Sequence, residues 1–180
     1  FYLIEGLFES EQRQEQIVCS LKKGQKKVLK HNGKAYERIA DHLGKYPMVL
    51  ISPADRDLIT EGSETRRKFL DSVIAQTDRE YVELLLRYNR LLLQRNTLLK
   101  QMAETGITTT ETLSIYDQQL APIGQLIYQK RSDFMQLYQP QFSKQYSYIA
   151  GKAEAVSLHY HSALHHNSLA ALLRENYSKD

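Results

Sequence analysis

The chain has 180 residues, with 24 lysines and arginines against 21 aspartates and glutamates, a formal net charge of +3. That balance permits contact with nucleic acid without calling for it. A single cysteine, Cys19, excludes an internal disulfide and fits a reducing, cytoplasmic setting, and no apolar run approaches the ~20 residues of a membrane span, so no membrane association is expected. The first residue is Phe1 rather than Met, and Asp180 follows directly on a helical stretch; both ends are expected to be interior points of a longer protein.

Residues 1–51 read mostly as strands. Phe1-Tyr2-Leu3-Ile4 opens with a β-rich run, and Ile17, Cys19 and Leu21 alternate with polar neighbours, the period of a half-buried strand. Gly24-Gln25 offers a turn into a return strand at Val28 and Leu29, and Asn32-Gly33 is a strong hairpin signal because both residues tolerate positive φ. A short helix is expected over Tyr36 to Leu43, closed by Gly44. Pro47-Met48-Val49-Leu50-Ile51, apolar without alternation, predicts a strand buried on both faces.

From about Thr65 to Glu104 the pattern becomes helical. Tyr81, Leu84, Tyr88, Leu91, Leu98 and Met102 fall at 3-4 spacing, with Arg95 in one slot of the stripe. Gly106 breaks the helix, and the threonines at 108–110 can cap the next. That second helix carries Leu113, Tyr116, Leu120, Ile123, Ile127, Phe134 and Leu137 on one face, interrupted by Lys130. Two long helices joined by a short loop fold back on each other, and a 35-residue helix spans ~50 Å, so an arm is expected. Pro122 predicts a kink near Gln118, and Pro140 a second kink or a fresh helix start. Gly151 ends the helix, Val156, Leu158 and Tyr160 alternate as a strand, and residues 168–177 form a last helix with Ser168 as a cap.

The order of elements predicts an α+β fold, antiparallel strands interrupted by a long antiparallel helical hairpin. Residues 1–51 form part of an antiparallel sheet with one short helix, residues 52–151 the helical arm, and residues 152–180 a returning strand and short helix.

Several blocks, in order, carry a resemblance. They are Ile51-Ser52-Pro53-Ala54-Asp55-Arg56-Asp57-Leu58-Ile59, Gly62-Ser63, Arg66-Arg67-Lys68-Phe69-Leu70-Asp71, Tyr88-Asn89-Arg90, Gln94-Arg95-Asn96-Thr97-Leu98-Leu99-Lys100 and Tyr116-Asp117-Gln118-Gln119-Leu120-Ala121. Together they resemble the RecF family of recombination-mediator ATPases, which has Trp in place of Tyr116. The resemblance implies that the sheet belongs to an ABC-ATPase-like lobe of the SMC kind and that the hairpin is its arm lobe. It implies a full-length protein that is a weak ATPase using ATP and Mg, closing as a self-dimer on duplex DNA or single-strand/duplex junctions. Such a protein works with RecO and RecR to help load RecA at gaps in DNA replication and repair. The phosphate-binding loop is expected upstream of this stretch, and the signature and Walker B motifs downstream.

The sequence contains no G-x-x-x-x-G-K-[ST] loop. Without that nest of backbone amides the stretch itself is expected to be catalytically inert and to hold no cofactor.

Ser52, Pro53 and Asp55 stand where strand gives way to arm, and the resemblance makes this junction a nucleotide-coupling element; Ala54 departs from the family's Glu. The bland reading makes Asp55 a helix N-cap. Arg66, Arg67 and Lys68 lie at a helix start, where cations oppose the macrodipole. An anion such as a DNA phosphate is one reason for them and pairing with Glu61 and Glu64 another. Lys22, Lys23, Lys26 and Lys27, with Lys30 and Lys34, make the densest basic run, either a phosphate-binding strip or edge protection. Arg90, Arg95 and Lys100 lie along the arm as partner-facing candidates, Arg95 also as an internal pair of the seam. His159, His161, His165 and His166 lack the carboxylate or thiol spacing of a metal site, so no metal is expected. A structural coiled-coil interaction module without nucleic-acid contact is the alternative that the mild charge and the apolar stripe suit equally.

Overall fold

The computed structural model describes residues 1–10, 13–107, 110–151, 154 and 156–177. The chain divides into two compact units, residues 1–50 and 51–180.

The first unit is a four-stranded antiparallel sheet in the order β1-β2-β3-β4: β1 Tyr2–Ser10, β2 Arg13–Leu21, β3 Val28–His31 and β4 Lys34–Ala35. β1 and β2 pair along their whole length, from Tyr2 opposite Leu21 to Ser10 opposite Arg13. The alternation around Ile17 does mark the inner face: Ile17 is buried, and so is Leu29, which lies opposite Cys19. Gly24, at φ 80°, turns the chain after β2, with the Gln25 N–H donating to the Lys22 carbonyl at 2.9 Å. Asn32 and Gly33 are both left-handed, at φ 48° and 80°, and close β3 onto β4 in a two-residue loop. The Asn32 side chain also accepts from the Gln16 N–H at 2.7 Å, fixing the hairpin to β2.

A polar-aromatic cluster seats the following segment. Phe8 stacks on Tyr46 with ring centres 4.4 Å apart, and the Tyr46 hydroxyl donates to Glu15. His31 lies 3.3 Å from the same carboxylate. His42 meets the Tyr36 hydroxyl at 3.2 Å; burial, then the charge of Lys45 and the neighbouring His31, hold its imidazole below its ordinary range. These anchors shape the expected helix over Tyr36 to Leu43 differently: only Ile39–His42 turns, as a 3-10 helix. The predicted buried strand Pro47–Ile51 does not form. Met48, Val49, Leu50 and Ile51 are irregular and exposed, Val49 by 87%. Apolar composition favours burial, but a strand also needs a neighbouring ladder, and no sheet register reaches these residues.

The second unit is helical. A 3-10 turn at Pro53–Arg56 leads into α1 (Asp57–Thr60) and α2 (Ser63–Ala75). α3 (Arg79–Thr105) and α4 (Thr110–Ile149) form the antiparallel hairpin, and α5 (Leu169–Glu175) packs against α4. The continuous helix expected from Thr65 to Glu104 is therefore broken at residues 76–78. Asp78 adopts an extended backbone and caps α3, its carboxylate accepting from the Tyr81 N–H at 2.9 Å. Gly106, left-handed at φ 68°, ends α3 with its N–H on the Met102 carbonyl. Of the expected capping threonines, 108 and 109 lie outside the described residues, and Thr110 opens α4.

α4 remains helical through both Pro122 and Pro140, so neither proline ends a helix or starts a new one. Pro122 is exposed while Leu120 and Ile123 beside it are buried, and the packing of that inner face holds the helix together where the ring removes one hydrogen bond. The core comprises Ile74, Tyr81, Leu91, Leu120, Ile123 and Ile127, flanked by Leu84, Tyr88, Tyr116 and Phe134 among others. Leu137, at the end of the predicted stripe, is exposed, because α3 starts only at Arg79 and leaves the distal part of α4 without that partner.

At Gly124 a Cβ would collide with Leu169 Cδ2, so this position lets α5 approach α4 closely. The returning strand expected over Val156, Leu158 and Tyr160 is also not formed. This segment is tied to α4 instead. The Gln139 side chain donates to the Leu158 carbonyl at 2.6 Å, and Tyr160 stacks on Tyr128. Ser168 caps α5 as its spacing predicts, accepting from the Ala171 N–H at 3.2 Å. Among the described residues no helix is long and apolar enough to cross a membrane.

Candidate functional site

The junction at residues 51–71 is built from side chains that close backbone ends. Pro53 occupies the first position of its turn, where its missing N–H leaves no bond unmade. Ser52 is the N-cap. Asp55 stands three residues on, its carboxylate accepting from the Ser52 N–H at 2.7 Å. The bland reading of Asp55 as the cap itself is thus corrected: it is the reciprocal partner in a capping box.

Arg66 explains itself from the other direction. Its Nη1 donates to the Leu58 carbonyl at 3.0 Å and the Glu61 carbonyl at 2.8 Å. The cation opposes the start of α2 but satisfies carbonyls left over at the end of α1. Arg67 donates to the Ser63 hydroxyl at 3.2 Å, and Lys68 pairs with Glu64 at 2.7 Å on an exposed surface, holding the Glu64 carboxyl below its ordinary range.

The last residue of the junction block, Asp71, leads into the interior. Arg131 of α4 forks onto it, Nε to Oδ1 and Nη2 to Oδ2, both at 2.8 Å. Tyr81 of α3, fully buried, donates its hydroxyl to Asp71 Oδ1 at 2.5 Å and receives Arg131 Nε at 3.0 Å. Burial, reinforced by the bond to Asp71, pushes the Tyr81 phenol well above its ordinary range. Burial works against the charge on Arg131, but its bonds to Asp71 and Tyr81 outweigh that and strengthen it. Beside this triad Lys130 reaches Asp78 at 2.7 Å and Glu80 at 2.8 Å. Lys130 is held above its ordinary range by those bonds. Asp78 is held below its own, because the bonds from Lys130 and the Tyr81 N–H overcome its partial burial.

Sequence reading singled out neither Arg131 nor Tyr81 as site residues. The available signal was Lys130, a charge on an otherwise apolar face; a charge at such a position points to a partner buried beside it.

The other candidates are distributed. Lys22, Lys23, Lys26 and Lys27 line the turn between β2 and β3 and are all exposed, as are Lys30 and Lys34. They belong to the first unit, whereas Arg66, Arg67 and Lys68 belong to the second. On α3, Arg90 is exposed, and Lys100 is exposed beside Glu104 at 3.8 Å. Arg95 is 4% exposed and pairs across the seam with Asp117 at 2.6 Å. Of the four histidines at 159, 161, 165 and 166, His165 uses both ring nitrogens, meeting the Tyr128 hydroxyl at 2.9 Å and the Tyr160 carbonyl at 2.6 Å. Since a carbonyl only accepts, Nε2 carries a proton. Among the described residues no three His, Cys, Asp or Glu side chains are grouped to hold a metal ion.

An antiparallel sheet followed by a long helical hairpin, with a capped turn and ion-paired helix between them in sequence, defines an α+β protein. No family model matches the chain. Over its whole length it is 52% identical to the DNA replication and repair protein RecF of Flavobacterium johnsoniae, of which it covers 50%, and 40% identical to that of Phocaeicola vulgatus, of which it covers 48%. A solved structure of the recombination mediator protein RecF-ATP in the RecFOR pathway matches with a TM-score of 0.83 at 28% identity, over 99% of this chain and 50% of that one. A RecF-ATPrS structure from the same pathway matches with a TM-score of 0.73 at 33% identity, over 83% of this chain and 40% of that one. The chain belongs to the RecF family, and it spans about half the length of the curated relatives it matches.

Proposed function

We propose that this chain is the arm-bearing half of a DNA-binding recombination mediator that acts in DNA replication and repair. In this reading ATP and Mg bind the full-length protein and close two copies on DNA. RecO- and RecR-type proteins meet the closed form in the cytoplasm and bring RecA to gaps. The stretch described above hydrolyses nothing itself. It carries the junction at residues 51–71, through which the nucleotide state reaches the arm. The observation that carries the reading is the end-to-end match to RecF, extending to an ATP-bound relative at a TM-score of 0.83.

For direct DNA binding the turn bearing Lys22, Lys23, Lys26 and Lys27 is the better candidate. Its ammonium groups are exposed, while Arg66 is committed to backbone carbonyls and Lys68 to Glu64. Removing one lysine–phosphate pair lowers the salt dependence of duplex binding by about one counterion.

The test uses the full-length protein. ATP-dependent dimerisation is measured by light scattering with and without duplex DNA, and DNA affinity is titrated against salt for the wild type and a variant with all four lysines changed to Gln. Dimerisation with ATP and a salt slope shallower by roughly three to four supports the reading. ATP-independent behaviour with no salt-sensitive DNA binding would instead identify a structural coiled-coil module.

A further inference from the structure

The triad of Asp71, Tyr81 and Arg131 draws one side chain from each of three helices. What makes it more than a local contact is how little else holds α2. Ile74 is the one buried residue of that 13-residue helix, with Leu70 partly buried against the same core. Apolar packing through Ile74 and the half-buried Leu70, Val73 and Ala75, which is not directional, lets a helix roll about its axis. A planar guanidinium fork does not, because both N–H bonds must stay in the plane of the carboxylate. The buried Tyr81 hydroxyl narrows the choice further by occupying the same Asp71 oxygen that Arg131 Nε reaches. At the other end of α2, Arg66 ties the helix to the carbonyls of Leu58 and Glu61, and so to α1 and the capped turn at Ser52–Asp55. A continuous series of directional bonds thus runs from the turn, through α1 and α2, to the middle of α4.

We infer that Arg131 is a positioning residue that fixes the rotation of α2 against the hairpin, so that the junction and the arm move as one body. The inference rests on the proposed role of residues 51–71 in coupling to nucleotide. Arg131 itself touches no nucleotide. It acts through Asp71, and Tyr81 keeps the fork in place.

The experiment is amide hydrogen exchange on the full-length protein with and without ATP, for the wild type, Arg131→Gln, Arg131→Lys and Asp71→Asn. Without nucleotide, the amides of α2 in Arg131→Gln and Asp71→Asn are expected to exchange about tenfold faster, while those around Leu91 and Leu120 keep their protection. Arg131→Lys keeps the charge but not the fork, and is expected to behave like Arg131→Gln. With ATP, the response of residues 51–71 persists in the variants and that of the hairpin is lost. Unchanged exchange in α2, rescue by lysine, or a surviving ATP response in the hairpin of Arg131→Gln each overturns the inference. If a variant loses protection around Leu91 and Leu120 as well, the triad serves stability of the whole unit and the positioning role is wrong. If the wild type shows no ATP response at residues 51–71, the coupling reading fails by itself; the nucleotide-free exchange of α2 still decides whether Arg131 orients that helix.

Discussion

Arg95 of α3 reaches across the hairpin seam to Asp117 of α4, Nε to Oδ1 at 2.6 Å, with the guanidinium almost wholly removed from solvent. A charge in this place is held by its partner and would be costly without it. Arg95→Ala and Asp117→Ala each break this pair in the seam and are expected to cost about 3–5 kcal/mol. Replacing both by apolar side chains of similar volume, Arg95→Met with Asp117→Leu, is expected to be near neutral. Urea unfolding of the helical unit, followed by far-ultraviolet circular dichroism, checks all three. A double variant as unstable as the single ones would show that the pair contributes more than mutual neutralisation.

The Asp78–Lys130 pair gives the base of the hairpin a pH dependence of definite sign. Asp78 titrates below its ordinary value in the folded chain. Its contribution is therefore complete above the unfolded value of about 3.9 and is lost as pH falls through the lower folded value. Lys130 titrates above its ordinary value. Its contribution is complete below about 10.4 and is lost as pH rises through the folded value. Asp78→Asn is expected to flatten the acid limb of the stability profile and Lys130→Met the alkaline limb, as read from melting temperature against pH. The wild-type shape retained in both variants would assign those limbs to other groups.

Arg66→Ala separates structure from recognition at the junction. Loss of the guanidinium leaves the carbonyls of Leu58 and Glu61 to water, a change of about 1 kcal/mol in the local stability of α1. Faster amide exchange over residues 57–61 with an unchanged salt slope for DNA is the expected outcome. A slope shallower by about one would mean that this arginine meets a phosphate after all.

The tight loop at Asn32-Gly33 fixes the register of β3 on β4. Gly33→Val places a β-branched side chain at φ 80° and is expected to cost more than about 1 kcal/mol. Asn32→Ala additionally removes the acceptor for the Gln16 N–H. Both are expected to speed exchange of the Asn32 and Tyr36 amides, which bond to Gln16 and Leu29, and to leave the helical unit unchanged.

What the sequence revealed depended on whether a signal was local. The 3-4 stripe from Tyr81 to Met102 found the hairpin, and Asn32-Gly33 found the loop, because each pattern is complete within a few residues. The break at residues 76–78 is hidden because Thr77-Asp78, a cap signal, falls inside a run otherwise spaced as one helix. Pro47–Ile51 and Val156–Tyr160 mislead for another reason. Strand formation depends on a neighbour as well as on the segment's own composition, and neither segment has a ladder. Asp71 is visible as part of a family block, but its joining to Tyr81 and Arg131 spans 60 residues of chain and exists only once three helices have met. The same holds for Arg66, whose position at a helix start is unfavourable until the end of the preceding helix comes into view.

Gly124 has a consequence for how α5 can be placed. It forms a notch in α4 that receives the Leu169 side chain, with Tyr88 also close by. One helical turn away in either direction stand Leu120 and Tyr128, whose bulk offers no such recess. The notch therefore works as a keyway. α5 can seat at one longitudinal setting on α4, and sliding by a turn would force it outward by the width of a side chain.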